Sequence, residues 1–480
     1  MKPLASIIIL TLNEEQNLPR CLKAVFSQKT DFDYEVLVVD SGSRDRTHEI
    51  ALGFARNHHL RIIEVGPEQF SHGRTRQFAS EQAEGDYLVY LVADAAPADN
   101  LWLSNLVKCA AEDDNIAGAY SRQLPWPDSS LVEKIRLSRR AAAGSAARES
   151  RITSPETYWM MPPLERILFC DFDDVSSVRK RTALKKIPIP DCPWAEDLVW
   201  SKECLLAGYK IVFAAQSAVF HSHRLSSRYL FRRGWVDQKA ASQHFGQIYY
   251  PDFTDARRGF FLGLKNEFKE IFSADAGLGQ KLRAAAGAPA FFASEIAGRF
   301  LAGVNNDSEA GIKLIDELAH AKIEPENAKE RVAKTGFAVG DKWRKVILAN
   351  PPAAVNYKIE IKSGSALSFA AGIKPEAFKF RKAPIDFLVE ADRERIFKAR
   401  LELNLENLRS WSEFSIDLEK WAGKKIRLSL ITDSQDMNHG WAGWAEPRIV
   451  FKNQNPGFEL KKFLASRVEQ TIGSKRFRHN

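Results

Sequence analysis

The stretch Asp86-Tyr87-Leu88-Val89-Tyr90-Leu91-Val92-Ala93-Asp94 decides how the N-terminal half is read. Apolar and β-branched residues run without interruption between Glu84-Gly85 and Ala95-Ala96-Pro97, the pattern of a parallel strand covered on both faces. In open α/β sheets ligands bind outside the carboxyl ends of such strands, so Asp94 is expected at a cleft. It reads either as a metal ligand or as a cap of its own loop.

Outward from this strand the same alternation repeats. Ser6 to Thr11 is apolar and β-rich, and after Asn13-Glu14-Glu15 the residues Leu18, Leu22, Val25 and Phe26 recur at helical spacing. Glu35 to Val39 forms a second run, closed by Asp40-Ser41-Gly42-Ser43, and helical periodicity resumes over Thr47 to Arg56. Strand alternating with helix implies a parallel α/β sheet. The turn after the first strand, Leu12-Asn13-Glu14-Glu15, carries neither a dinucleotide-binding nor a Walker glycine pattern, so phosphates are expected to be held by a metal and side chains.

Further motifs follow in order. Arg74 and Arg76 beside His72, just ahead of a helix, read as a diphosphate grip or as a solvated basic turn. Asp171, Asp173 and Asp174 bring three carboxylates within four positions, and the segment 138–153 is expected as a mobile loop on the acceptor side. Glu196 and Asp197 fall in the first turn of a helix, where the dipole favours carboxylates whatever the function; Asp197 also suits a general base. His221-Ser222-His223 closes a strand with two imidazoles on one face, ready to complete a metal site with Asp94 or simply exposed.

Composition narrows the function classes. The chain has 480 residues, 45% of them apolar, and a net charge of +8 that is not gathered into a basic block interleaved with aromatics, so no nucleic-acid partner is expected. All five cysteines lie in the first half without metal-type spacing, which fits a reducing, cytoplasmic setting. The run Leu4 to Leu12 after Lys2 ends at Asn13-Glu14-Glu15 without a small-residue cleavage pattern and is read as a strand; no uncharged run reaches the ~18 residues of a bilayer span.

From Arg224 to about Trp343 the periodicity is helical, in segments 229–245, 257–272, 279–304 and 308–319, with basic residues beside Phe260, Phe261, Leu262, Phe291 and Phe292. Such faces suit either peripheral contact with an anionic bilayer or packing on the core. After Asn350-Pro351-Pro352 the period becomes two, as in a β-sandwich. Its tryptophans Trp411, Trp421, Trp441 and Trp444 read as sugar-stacking platforms or as core. The expected divisions are 1–225 for the α/β domain, 226–345 for a helical region, 346–455 for the all-β sandwich and 456–480 for a basic tail.

Together, Ser6-Ile7-Ile8-Ile9-Leu10-Thr11-Leu12-Asn13-Glu14, Val39-Asp40-Ser41-Gly42-Ser43, Ala93-Asp94-Ala95-Ala96-Pro97, Ala195-Glu196-Asp197 and His221-Ser222-His223 resemble the family 2 glycosyltransferases, and within them the bacterial rhamnosyltransferases. The likeness covers residues 4 to about 245. It implies a GT-A fold, a Rossmann-like mixed sheet, and inverting transfer of a sugar, rhamnose as the first choice, from a dTDP- or UDP-linked donor. The implied acceptor is a glycan or lipid-linked oligosaccharide of bacterial surface polysaccharide synthesis, at the inner face of the cell membrane, with Mg²⁺ or Mn²⁺ as cofactor. By motif match Asp94 is the metal-binding aspartate, Asp40 the nucleotide-binding one and Asp197 the base, with Glu196 beside it. Thr11, Asn13, Glu14, Arg74 and Arg76 belong to the donor side, and His221 or His223 to the metal. Ala93 stands where the rhamnosyltransferases commonly have glutamine, Gln77 where they commonly have asparagine, and the Gln-x-x-Arg-Trp motif of processive synthases is missing. The C-terminal sandwich, ending in Gly440 to Pro447, looks like a jelly-roll module. A carbohydrate-binding scaffold with an inactive transferase domain, a transferase for another nucleotide sugar and a nucleotidyltransferase are the other readings. The first would be expected to lose one of the carboxylates, and the last would want a glycine-rich basic loop after the first strand.

Overall fold

The structure, a computed structural model, describes residues 2–303, 311–436 and 439–451. Its N-terminal half is a mixed sheet flanked by helices. In chain order come β1 (Ala5–Thr11), α1 (Leu18–Phe26), β2 (Tyr34–Asp40), α2 (Thr47–Ala55), β3 (Leu60–Glu64), α3 (His72–Gln82) and β4 (Tyr87–Val92). There follow β5 (Ala96–Pro97), α4 (Trp102–Ala111), β6 (Ile116–Leu124), α5 (Leu131–Ser138), β7 (Arg148–Arg151), α6 (Pro155–Trp159) and α7 (Pro163–Phe169). The half closes with β8 (Ser176–Lys180), α8 (Arg181–Lys186), α9 (Glu196–Leu206) and β9 (Lys210–Phe220).

The strand order is β3-β2-β1-β4-β8-β6-β9-β5, with β7 paired to β9. The first four strands are parallel, β8 is antiparallel to both β4 and β6, and β9 is parallel to β6. The central strands β1, β2 and β4 bury nearly every residue because helices cover both faces, which is why their sequences show continuous apolar runs. One consequence decides the site: the carboxyl ends of β1, β2, β4, β6 and β9 and the amino end of β8 share one edge. The segment expected as a mobile loop, 138–153, contains β7 and is tied to β9 through the pairs Arg148–Phe213 to Arg151–Lys210.

Three helices follow, α10 (Ser227–Phe245), α11 (Phe253–Ser273) and α12 (Leu278–Ala302), close to the first three expected segments. The fourth, 308–319, is not helical where it is described. It holds β10 (Ile312–Lys313) and a short 3-10 turn at Leu318–His320. Its apolar residues Ile312, Leu314, Ile315 and Leu318 imitate a helical period, but they pack on or within the sandwich core.

That sandwich has two antiparallel sheets. One runs β12 (Val332–Val339), β13 (Lys342–Ala349), β20 (Ala442–Phe451), β15 (Ser365–Ile373), β18 (Ser412–Asp417), with β10 on β20. The other runs β11 (Lys322–Glu324), β14 (Ala353–Glu360), β19 (Lys425–Asp433), β16 (Ile385–Ala391), β17 (Glu394–Leu401), and the short helix α13 (Leu405–Arg409) bridges β17 and β18. The sandwich therefore begins at β10, ahead of the expected division at 345/346. The β12–β13 hairpin was hidden by its mixed face: Lys334, Thr335 and Gly336 interrupt the five apolar residues of β12, and its period emerges on pairing with β13. Trp411, Trp421 and Trp444 are buried, Trp444 completely, so these three are core and not sugar platforms; Trp441 is half-buried. The expected basic tail, 456–480, lies outside the described residues.

The turn of the β12–β13 hairpin enters the N-terminal half. Gly340 has φ +57°, and a Cβ there would meet the Arg409 carbonyl oxygen, so only glycine makes this turn. Arg166, 1% exposed, pairs with Asp341 at 3.0 Å and donates to the Gly340 and Phe245 carbonyls; Lys202 of α9 takes the other Asp341 oxygen at 2.5 Å.

Candidate active site

Five structural segments deliver carboxylates, imidazoles and an amide to the shared edge. Asp94 lies two residues past β4, and His221 and His223 follow β9. The Asp94 Oδ2 atom stands 3.7 Å from His221 Nε2 and 3.6 Å from His223 Nδ1, and the candidate ligand atoms all lie within 4.8 Å of one another. Two ligands bonded at about 2.1 Å to one divalent ion stand about 3.0–3.6 Å apart at angles of 90–120°. Asp94 Oδ2 stands at or just beyond that range from each imidazole, so the carboxylate and the two imidazoles would draw slightly inward to share such an ion.

His221 is fixed from behind. Gln123, near the end of β6 and 1% exposed, donates through Nε2 to Asp173 Oδ2 at 2.6 Å, which leaves its Oε1 to accept from His221 Nδ1 at 3.1 Å. This chain selects the tautomer that carries its proton on Nδ1 and turns the Nε2 lone pair toward Asp94, the usual outer support of a metal-bound histidine.

Behind the edge lies a buried charge cluster. Arg179 grips Asp174 through two hydrogen bonds of 2.8 and 3.0 Å and is surrounded by the rings of Tyr90, Phe172 and Trp200. Arg76 reaches Glu196 at 2.5 Å and Asp174 at 3.2 Å. Asp197 adjoins them at the start of α9, its Oδ2 accepting from the Asp174 amide at 3.3 Å. Burial, then the charges of Glu196, Asp174 and Asp173, push the Asp197 carboxyl well above the usual carboxylate range. Its Ala195 cap is left-handed, with φ +59°, a strained choice for a residue with a Cβ. Gly73 lets α3 press against the loop before α9: a Cβ there would meet the Pro190 carbonyl oxygen.

On the other flank, the loops after β1 and β2 are zipped together. Asp40 accepts from Thr11 Oγ1 at 3.1 Å, from the Ser43 amide at 3.0 Å and from Ser43 Oγ at 2.5 Å. Asn13, left-handed at φ +58°, exchanges hydrogen bonds with Ser43 and Arg44. Glu14 is half-buried and its carboxyl is raised by burial, with Asp94 among the charges that raise it further.

The model of the glycosyl transferase family 2 matches residues 6–158, which hold β1 through β6 and the Asp40 and Asp94 edge. Residues 6–158 form a family 2 glycosyltransferase domain by this match. The O-antigen chain rhamnosyltransferase RfbN of Salmonella typhimurium is 28% identical over 233 residues, 48% of this chain and 69% of the relative. The O-antigen chain rhamnosyltransferase WbaN of Salmonella anatum is 28% identical over 217 residues, 43% of this chain and 62% of the relative. Among solved structures, a mannosyltransferase of Pyrobaculum calidifontis in complex with GDP-Man and Mn²⁺ aligns with a TM-score of 0.41 at 19% identity, over 63% of this chain and 87% of the other. The mixed sheet expected of a GT-A transferase is observed, with its helices and the all-β C-terminal region.

Within the transferase domain, Asp94, His221 and His223 meet as one cluster, and Asp197 lies near Asp173 on the same edge. Arg76 and Glu196 do not face the cleft: both are buried and spend their charges on each other. Arg74 is exposed and bonded to Asp191 in the loop before α9. Asp40 is 4% exposed and shapes its loop. Sequence reading missed Gln123, which stands at the polar end of β6, Ser121-Arg122-Gln123, outside any motif, and Arg233 of α10. The latter is held by Asp237 at 2.8 Å, and its guanidinium pKa is raised by Asp237 first and by Asp173 and Asp197 as well, so it is within electrostatic reach of the cleft.

Proposed function

We propose that this enzyme catalyses inverting transfer of a sugar, rhamnose as the first choice, from a dTDP- or UDP-linked donor to a glycan or lipid-linked acceptor in bacterial surface polysaccharide synthesis. The observation that carries the reading is the convergence of Asp94, His221 and His223 on the ligand-binding edge of the sheet that also holds a partly buried, elevated carboxyl, Asp197. The relatives named rhamnosyltransferases support the choice of sugar.

Asp94, His221 and His223 would hold a divalent ion, and two imidazoles favour Mn²⁺ over the harder Mg²⁺. Such an ion neutralises charge on a departing diphosphate. Asp197 takes the proton of the acceptor hydroxyl; its raised pKa makes it a stronger base than a solvated aspartate. Arg233 contributes positive charge near the leaving group, the part expected of Arg74 or Arg76. The zipped loops Leu12–Glu15 and Ser41–Ser43 form the nucleotide wall.

A thermal-shift screen of nucleotide sugars with and without Mn²⁺ tests the reading, because a ligand that binds the native state alone raises its melting temperature. A dTDP- or UDP-sugar should stabilise the wild type only with Mn²⁺ and should not stabilise Asp94→Ala. Equal shifts in both proteins would overturn it.

A further inference from the structure

The solvent face of α11 has an unusual division of charge. Arg258, Phe261, Lys265, Lys269 and Phe272 follow one another at spacings of three and four, so they line one side of the helix, with Arg257 and Leu262 alongside. Phe261 is 63% exposed, Leu262 56% and Phe272 51%; where α12 begins, Leu278 and Leu282 are 68% and 55% exposed. Two of the helix's three carboxylates turn the other way: Glu267 is fully buried against Arg136 and Arg139, and Glu270 pairs with Arg139, while Asp255 is exposed in the first turn. Leu264, Phe268 and Ile271 fill the inner face against Val132, Ile135, Ala284 and Ala288. The outer apolar residues are therefore surplus to the packing of the helices, and they are interleaved with cations that make no ion pair among the described residues.

We infer that this face of α11, with the first turns of α12, docks on an anionic lipid surface. A helix lying in the bilayer interface sinks large apolar side chains to the acyl boundary and keeps lysine and arginine at the headgroups, the sorting seen here. A second copy of this chain fits less well, because a two-fold contact would bring the same cations face to face. A polyanion such as a nucleic acid would use the cations but gain nothing from Leu262, Leu278 and Leu282. No helix among the described residues is long and apolar enough to cross a membrane, so the contact is peripheral. The surface supplies the membrane contact that suits a lipid-linked acceptor and in that sense rests on the proposed reading; its test uses no donor or acceptor, so either can fail alone.

Flotation with phosphatidylcholine vesicles, with and without phosphatidylglycerol, is the experiment, run on the full chain at low and high salt. The wild type should float with the anionic vesicles at low salt and stay behind with neutral vesicles or at high salt. Lys265→Gln with Lys269→Gln should weaken partitioning on the order of 10- to 30-fold, at the usual contribution of a cation near such a surface. Phe261→Ser with Leu262→Ser and Phe272→Ser should abolish flotation while the melting temperature stays that of the wild type. Three results would overturn the proposal: no flotation of the wild type, flotation unchanged in both variants, or a wild-type dimer in sedimentation velocity that the Phe261 variant dissolves. Preferential binding of duplex DNA over anionic vesicles would overturn it as well.

Discussion

Glu196→Gln and Asp197→Asn, neighbours on the first turn of α9, should behave as opposites. In the wild type two buried guanidinium groups, Arg76 and Arg179, face Asp174, Glu196 and Asp197. Three carboxylates thus share two guanidinium groups, and burial, with that surplus of negative charge, raises the Asp197 carboxyl. Glu196→Gln removes one anion and strips Arg76 of its shortest partner. Removing one member of a buried pair costs about 3–5 kcal/mol; Arg76 keeps Asp174, and Asp197 is drawn toward ionisation, so about 1–3 kcal/mol is expected, a fall of several degrees in melting temperature. The same substitution removes the largest neighbouring charge that raises Asp197, so its pKa falls. The acid limb of the kcat/KM profile should then move to lower pH while the plateau keeps most of its height. Asp197→Asn should keep fold and donor binding and lose roughly two to four orders of magnitude in transfer. The assay is transfer against pH alongside urea unfolding. Near-normal transfer by Asp197→Asn, or an acid limb in Glu196→Gln that stays in place or moves to higher pH, would refute the reasoning.

Three further outcomes follow from the geometry. Gln123→Leu breaks the link between Asp173 and His221, and Mn²⁺ affinity, read by electron paramagnetic resonance of the free ion, should fall 10- to 100-fold. Asp171 is pushed up to about 6, by burial first and by Asp173, so native contacts favour its protonated form; that stability is full below about pH 4 and lost as pH rises through about 6. Asp171→Asn should therefore match the wild type at pH 4 and exceed it by about 1–3 kcal/mol at pH 8 in urea titrations. Asp341→Ala leaves Arg166 and Lys202 to carbonyl partners alone and should cost about 2–3 kcal/mol by the same measurement.

The strands of the transferase domain were legible because parallel strands covered on both faces carry a one-letter signal, continuous apolar residues, that ends where the chain meets the cleft. Asp40, Asp94 and His221 could be picked out for that reason: each is a polar residue at the end of such a run. What the sequence withheld was partnership. Arg74 and Arg76 look alike in their motif, yet helical spacing sends one to Asp191 at the surface and the other to Glu196 in the interior. Gln123 was unreadable because its partners lie 50 and 98 residues away. The β12–β13 hairpin escaped because Lys334, Thr335 and Lys342 to Lys345 dilute its alternation until pairing supplies it.

The Gly340–Asp341 turn makes the sandwich something other than cargo. Arg166 is a guanidinium sealed inside the transferase domain whose only carboxylate partner among the described residues arrives from 175 residues further along the chain. A nascent or excised transferase domain would have to flood that pocket with water or leave a charge stranded in it. Lys202, on the same helix as Asp197, would be left holding a single carbonyl. The two parts are thus obligate companions: recombination that swaps the sandwich for another module must also rewrite Arg166 and Lys202, and degradation of one part exposes the other.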